Sequence, residues 1–222
     1  MERHPLDGLY EGRPIFILST GTSLRDFDFT RLDGHLTIGT NRIIEYYHPS
    51  VLHLVDSRAK NTHAAALRTY GGIIIATEGA APRGLAAETF PIRHNVDTFE
   101  LSGNMTGLST FVGRSFHDGF YGGGAGCTAL HTAILLGGDP IYLLGYDFYE
   151  DHGRHFDEWD PSKNAPELSK NVPEQYGTPF DGLQHIARQP WIPRIYNCNP
   201  RSRLTCFPFA SLDALLPLSP AA

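Results

Sequence analysis

Three scarcities bound what this 222-residue chain can be. Cysteine occurs only at positions 127, 198 and 206, an odd number without CxxC spacing. A disulfide-stapled module or a zinc–thiolate site needs more, so buried free thiols in a reducing, cytoplasmic setting are expected. Basic residues are outnumbered, 18 Lys and Arg against 24 Asp and Glu, for a formal net charge of −6. With no Lys/Arg cluster to offset that balance, a nucleic-acid groove held by phosphate neutralisation is excluded. Long apolar runs are missing as well. None approaches the roughly 20 residues that span a bilayer, and Met1-Glu-Arg-His-Pro5 lacks the apolar core of a signal peptide. What remains is an ordinary globular composition, 41% hydrophobic and 19% charged. That length and composition suit one domain over residues 1–222 with a sizeable core.

The most informative stretch is Arg13-Pro-Ile-Phe-Ile-Leu-Ser-Thr-Gly-Thr-Ser-Leu24. A short continuous apolar run, Pro14 to Leu18, predicts a strand covered on both faces. It breaks into a small-residue turn, Ser19 to Ser23. Ser23 followed by Asp26 fits a capping box, which predicts a helix over Leu24 to Leu32. Such a turn would aim backbone N–H groups and a positive helix end at one point, a seat for phosphate. The glycine spacing matches neither a Walker P-loop nor GxGxxG.

Strands are predicted next at Leu36–Gly39, Val51–Val55 and Gly72–Ala76, with helices at Ile43–Tyr47 and Ala59–Tyr70 between them. Residues 78–123 show no sustained period and predict irregular structure with room for a hairpin. Gly122-Gly-Gly-Ala-Gly126 then leads into an apolar helix, Cys127–Leu136, followed by a buried strand, Pro140–Gly145. Residues 146–180 are polar and rich in turn formers, the composition of a lid. A helix at Asp181–Arg188, a strand at Arg194–Asn197 and a helical turn at Leu212–Leu216 complete the chain. Alternating apolar strands and helices predict a doubly wound, mostly parallel, Rossmann-like α/β sheet with a polar lid insertion. In such sheets ligands bind at the carboxyl ends of the strands. The opening turn, Asn41, Asp56 and Asp147 all fall at that edge.

Three segments together resemble the bacterial sialyltransferases of glycosyltransferase family 42. Ser19-Thr-Gly-Thr-Ser-Leu-Arg-Asp-Phe-Asp-Phe-Thr-Arg-Leu32, with Asn41 following, resembles that family's Gly-rich turn, helix and nucleotide-contacting Asn. Ile141-Tyr-Leu-Leu-Gly-Tyr-Asp-Phe-Tyr149 resembles its "IYLxGxDFY" strand and loop, and Ile195-Tyr-Asn-Cys-Asn-Pro-Arg-Ser-Arg-Leu204 its C-terminal "LYxxxPxSxL". Archaeal 6-hydroxymethyl-dihydropterin diphosphokinases and flagellin-glycosylation proteins share much of the same pattern. The resemblance implies that Thr20, Gly21 and Ser23 sit against the nucleotide phosphate or sugar, and that Asn41 holds the nucleotide near the transferred group. Asp56 stands where the sialyltransferases use an Asn, and Tyr149 matches a tyrosine that helps the phosphate depart. Two departures stand out. The family's Thr-Ser-Gly before the central helix is Gly124-Ala125-Gly126 here, and the position of its catalytic histidine falls near Gln175 or Tyr176.

A metal-free glycosyltransferase needs a base for the acceptor hydroxyl and a charge sink for the leaving phosphate. His155 is the first candidate base, since Phe156 would anchor it inward; His152 and His185 follow. Asp147 is the candidate carboxylate at the strand end. The leading expectation is a nucleotide-sugar transferase, CMP-sugar favoured, acting on a small-molecule or glycan hydroxyl without a metal. One alternative is a diphosphokinase that moves pyrophosphate from ATP to a pterin-like alcohol, with Mg²⁺ held by Asp147 and neighbouring carboxylates. Another is a nucleotide-binding module without catalysis. Self-association into a homo-oligomer is left open.

Overall fold

The computed structural model describes residues 3–77, 79–90, 92–93, 112–149, 155–158 and 172–216; of 92–93 and 172–178 it describes the backbone alone. Seven strands form one parallel sheet: β1 (Ile15–Leu18), β2 (Thr37–Thr40), β3 (Val51–Leu54), β4 (Ile73–Thr77), β5 (Glu88–Phe90), β8 (Ile141–Leu144) and β9 (Ile195–Asn197). Their spatial order is β5-β4-β3-β2-β1-β8-β9. The chain winds outward from β1 in one direction, then returns and winds outward from β8 in the other. The order therefore reverses between β1 and β8, whose registers pair Ile15 with Ile141 and Leu18 with Leu144.

Successive side chains of a strand point to opposite faces, and both faces are covered, which explains the unbroken apolar runs. Ile15, Ile17, Ile38, Ile75 and Leu143 face α3 (Ala125–Leu135) and α4 (Val172–Ala187) across Ala129, Leu130, Leu183 and Ile186. Phe16, Leu18 and Leu144 face the other way, onto Leu24, Leu32, Ile43 and Phe156. Each fully buried aliphatic side chain contributes about 1.5–3 kcal/mol. The arm before β1 ties to the end of α3: the N–H groups of Gly8, Tyr10 and Gly12 donate to the carbonyls of Leu135, Leu136 and Gly137. Those are carbonyls a helix end leaves without a partner of its own.

Several expected elements differ. Leu24–Leu32 is not one helix but two 3₁₀ turns, Thr22–Leu24 and Phe29–Leu32. Asp28 breaks the run, because its Oδ1 accepts from the N–H and hydroxyl of Thr30 and offers the backbone a local alternative to the helix. The expected capping box does not form, since Gly21 precedes the first turn and no side chain caps it. Asn41–Glu45 is likewise 3₁₀. The helix expected over Ala59–Tyr70 is split at His63 into α1 (Ala59–Thr62) and α2 (Ala64–Thr69). His63 Nδ1 bonds Glu45 at 2.9 Å, a contact outside its own helix.

Between β4 and α3 the described chain forms a parallel pair, β6 (Ile92–Arg93) with β7 (Phe120–Tyr121), and residues 94–111, where the sequence left room for a hairpin, lie outside the described residues. α4 begins at Val172 and carries Pro179 within it, so the helix expected from Asp181 reaches back into the predicted lid. Residues 150–154 and 159–171 of that lid lie outside the described residues, and His152 with them. α5 (Leu212–Leu215) closes the described chain. Among the described residues no helix is long and apolar enough to cross a membrane.

Candidate active site

The strand-order reversal opens a crevice at the carboxyl ends of β1 and β8, the place where such sheets bind ligands. Two glycines let the two chain ends approach each other there. Gly145 leaves β8 at φ +72°, a left-handed conformation that costs other L-residues about 1–2 kcal/mol. Its carbonyl accepts the Gly21 N–H at 3.0 Å. A Cβ at Gly21 would lie 2.5 Å from both that carbonyl and Asp147 Oδ2. Gly21 is thus a packing requirement of the fold, and a side chain there would displace the turn itself.

Asp147 knots the two ends together. It is 2% exposed. Its Oδ2 accepts the Ser23 N–H at 2.7 Å and the Thr22 hydroxyl at 3.4 Å; its Oδ1 accepts the Ser23 hydroxyl at 2.6 Å and the Asn199 amide at 2.7 Å. Burial raises its pKa above the ordinary carboxylate value, and the hydrogen bonds from Ser23, Asn199 and Thr22 oppose that rise. Ser23 therefore spends its side chain on Asp147 rather than on a helix N-terminus. Both oxygens of the carboxylate that the diphosphokinase alternative would ask to hold Mg²⁺ already accept hydrogen bonds. Among the described residues no group of three or more His, Cys, Asp or Glu side chains converges as metal ligands would. Asn199 was not singled out beforehand. It lies within the Ile195–Leu204 segment, and its amide also donates to the Tyr149 hydroxyl at 3.1 Å. Arg201 covers the Tyr149 ring at 5.3 Å.

The crevice has two lobes that meet at Ser19, Thr20, Ala125 and His155. An inner lobe of about 200 Å³ is lined by Gly21, Gly124, Gly126, Asp147 and Tyr149. An outer lobe of about 500 Å³ is lined by Asn41, Asp56, Arg42, Arg58 and His63. Of the residues singled out from the sequence, Thr20, Gly21, Asn41, Asp56, Gly124, Ala125, Gly126, Asp147, Tyr149 and His155 line one lobe or the other, whereas Ser23 and His185 line neither. Arg42, Arg58 and His63 are additions. The small residues of Gly124-Ala125-Gly126 have a steric reason: a Cβ at Gly124 would meet Pro179 at 2.9 Å, and one at Gly126 the Tyr146 ring at 3.1 Å. Ala125 opens α3, so the positive end of an eleven-residue helix faces both lobes. This helix start replaces the one expected after β1. The Cys127 thiol beside it is pushed up to about 12 by burial, which disfavours the thiolate form.

His155 occupies the junction. Its Nδ1 lies 2.8 Å from the Thr20 hydroxyl, and the next N–H, of Phe156, donates to the Thr20 carbonyl at 3.1 Å. Phe156 is buried among Phe16, Leu18 and Phe29, the inward anchor that the sequence suggested. Asp157 completes the strap, accepting Arg42 Nη1 at 2.8 Å and the Tyr46 hydroxyl at 2.8 Å. His185 is elsewhere, tilted against the Tyr121 ring at 5.6 Å and lining neither lobe. The backbone at Gln175 and Tyr176 lies in α4.

Asn41 combines two structural tasks with its place in the outer lobe. Its φ is +42°, and its Oδ1 accepts the N–H groups of Val55 at 3.0 Å and Asp56 at 3.4 Å. Asn41→Ala removes both the tolerance of that backbone and the acceptor, and is expected to cost about 2 kcal/mol in urea unfolding. Asn41→Gly, which keeps the backbone freedom, should recover roughly half of that loss. Equal stability of the two variants would show that the hydrogen bonds alone matter.

The fold defines the class: an α/β protein with a crevice at the switch point of a parallel sheet. More particularly, the chain is similar in structure to two solved sialyltransferases of Campylobacter jejuni. One is CstII in complex with a substrate analogue, cytidine-5'-monophosphate, at 16% identity and a TM-score of 0.50, covering 90% of this chain and 85% of that one. The other is the monofunctional α-2,3-sialyltransferase Cst-I, at 16% identity and a TM-score of 0.50, covering 89% and 80%. At that identity the likeness establishes the shared fold. No protein-family model and no curated protein sequence matches the chain.

Proposed function

We propose that this protein is a glycosyltransferase that binds a CMP-sugar in the two-lobed crevice and transfers the sugar to an acceptor hydroxyl. The observation that carries the reading is the convergence of Thr20, Asn41, Ala125, Tyr149 and His155 on one crevice, in the fold of enzymes one of which binds cytidine-5'-monophosphate. In this reading the nucleotide phosphate sits at the start of α3, where the helix end stabilises negative charge. Asn41 and Asp56 hold the ribose side in the outer lobe. The acceptor oxygen attacks the anomeric carbon while the bond to the phosphate oxygen breaks, and CMP departs with the bonding pair. His155 takes the acceptor proton. Thr20 fixes the imidazole, and Tyr149, in the inner lobe, sets its hydroxyl against the departing phosphate. Asp147 positions this turn rather than meeting the substrate.

Thermal unfolding with CMP, UDP, GDP and ATP, each with and without Mg²⁺, tests the donor class. CMP at about a hundred times its dissociation constant should raise Tm by roughly 5–10 °C without metal. An ATP response that depends on Mg²⁺, with none to CMP, would overturn the proposal in favour of the diphosphokinase. CMP binding with no turnover of any CMP-sugar would favour the non-catalytic module.

A further inference from the structure

A second groove opens at the same edge of the sheet, behind the crevice. It encloses about 560 Å³ and is bounded by α1, α2 and the chain following β4. Its floor is aliphatic, formed by Leu67, Pro82 and Leu85, and three cations border it: Lys60, Arg68 and Arg83. No carboxylate lines it among the described residues, although the chain as a whole carries a formal charge of −6. Lys60 is held in place by donating to the Gly79 carbonyl at 2.5 Å, which leaves two of its three ammonium hydrogens for a ligand. One short helix separates this groove from the crevice. Ala59, Thr62 and His63 line the outer lobe, whereas Lys60, Asn61 and Ala64 line the groove. The two spaces thus lie about one helix diameter apart, on the order of 10 Å.

We propose that this groove is an acceptor subsite, and that the acceptor is an extended anionic saccharide whose phosphate or carboxylate lies between Lys60, Arg68 and Arg83 while a hydroxyl reaches His155. The acceptor role rests on the glycosyltransferase reading above; the anion selectivity of the groove does not. Charge complementarity selects the occupant, since an anionic group would meet three cations and, among the described residues, no lining carboxylate. The separation selects its length, because a monosaccharide cannot bridge a helix diameter.

Calorimetry with maltotriose carrying one phosphate monoester, neutral maltotriose, inorganic phosphate and CMP provides the test. The wild type should bind the phosphorylated trisaccharide and discriminate against the neutral one, more weakly as salt is raised. In the double variant Arg68→Glu/Arg83→Glu, that affinity should fall about tenfold or more, with CMP affinity unchanged. Equal binding of phosphorylated and neutral trisaccharide, or undiminished binding by the variant, would overturn the subsite. Inorganic phosphate binding as tightly as the phosphorylated trisaccharide would overturn the saccharide as occupant. Anion discrimination that persists in a protein unable to bind CMP would uphold the groove and overturn its acceptor role.

Discussion

His155→Ala is expected to cut sugar transfer by about 10²–10⁴-fold, the range for loss of a general base, with CMP affinity nearly unchanged. The separation of effects follows from geometry. His155 touches the crevice at the junction of its lobes, through a hydrogen bond to the Thr20 hydroxyl, while the nucleotide would be held by the start of α3 and by Asn41. The segment itself stays in place without the imidazole, because Phe156 is buried in the core and Arg42 holds Asp157. His155→Gln supplies the control. Its amide can still bond Thr20 but cannot carry a proton away, so it should be as slow as His155→Ala. Recovery of the wild-type rate in His155→Gln would reduce the residue to a positioning role. Wild-type turnover in both variants between pH 5 and 8 would remove it as the base.

The strands and the carboxyl edge were legible in the sequence because their cause is local. A buried parallel strand must be apolar on both faces, so Ile15–Leu18 and Ile141–Leu144 announce themselves, and the residues just beyond them fall at the ligand edge. What was not legible depends on partners far away in the chain. Ser23 looks like a helix cap to a local reading, but its partner is Asp147, 124 residues on. Asn199 has no local signal either; only its place in the Ile195–Leu204 segment hinted at a role. The turns after β1 fail as a helix because Asp28 has a competing local bond. α4 runs back through Pro179, which has no N–H to donate within the helix, while Phe180, Leu183 and Ile186 beyond it bury against the sheet; the local sequence marked only that second part. Alternation along β3 could have flagged His53 as facing inward, yet nothing in the pattern says that α3 offers it a partner.

That inward histidine sets the second large expectation: stability should fall steeply as the pH drops below about 6.5. His53 and His131 are both fully buried. His53 Nε2 lies 2.9 Å from the Thr128 hydroxyl, with the Phe120 ring at 5.0 Å. His131 Nδ1 accepts the Tyr121 N–H at 2.8 Å, so its Nε2 carries the hydrogen that meets the Gly113 carbonyl at 2.9 Å. A proton added at Nδ1 would face another donor. Burial, with the neighbouring His131 charge, lowers the pKa of His53 to about 3. Burial lowers that of His131 to about 4, against the Gly113 hydrogen bond and the Asp118 charge, which act to raise it.

Both values are depressed in the folded state, so above the unfolded value near 6.5 the pair has no linkage effect. Below it the unfolded chain binds protons that the folded one refuses, and stability is lost until pH falls through each folded pKa. The slope approaches about 1.4 kcal/mol per pH unit for each histidine. Between pH 6.5 and 4.5 the two together remove on the order of 5 kcal/mol, comparable with the whole stability of many domains. Asp147 acts in the opposite sense, since its raised pKa makes the folded state the readier proton acceptor. Urea unfolding at pH 7.5, 6.5, 5.5 and 4.5 should show a midpoint falling through the series, with a shallower fall in His131→Asn, whose Oδ1 keeps an acceptor for the Tyr121 N–H. A midpoint unchanged from pH 7.5 to 4.5 would mean that these imidazoles accept protons as readily inside the fold as outside it.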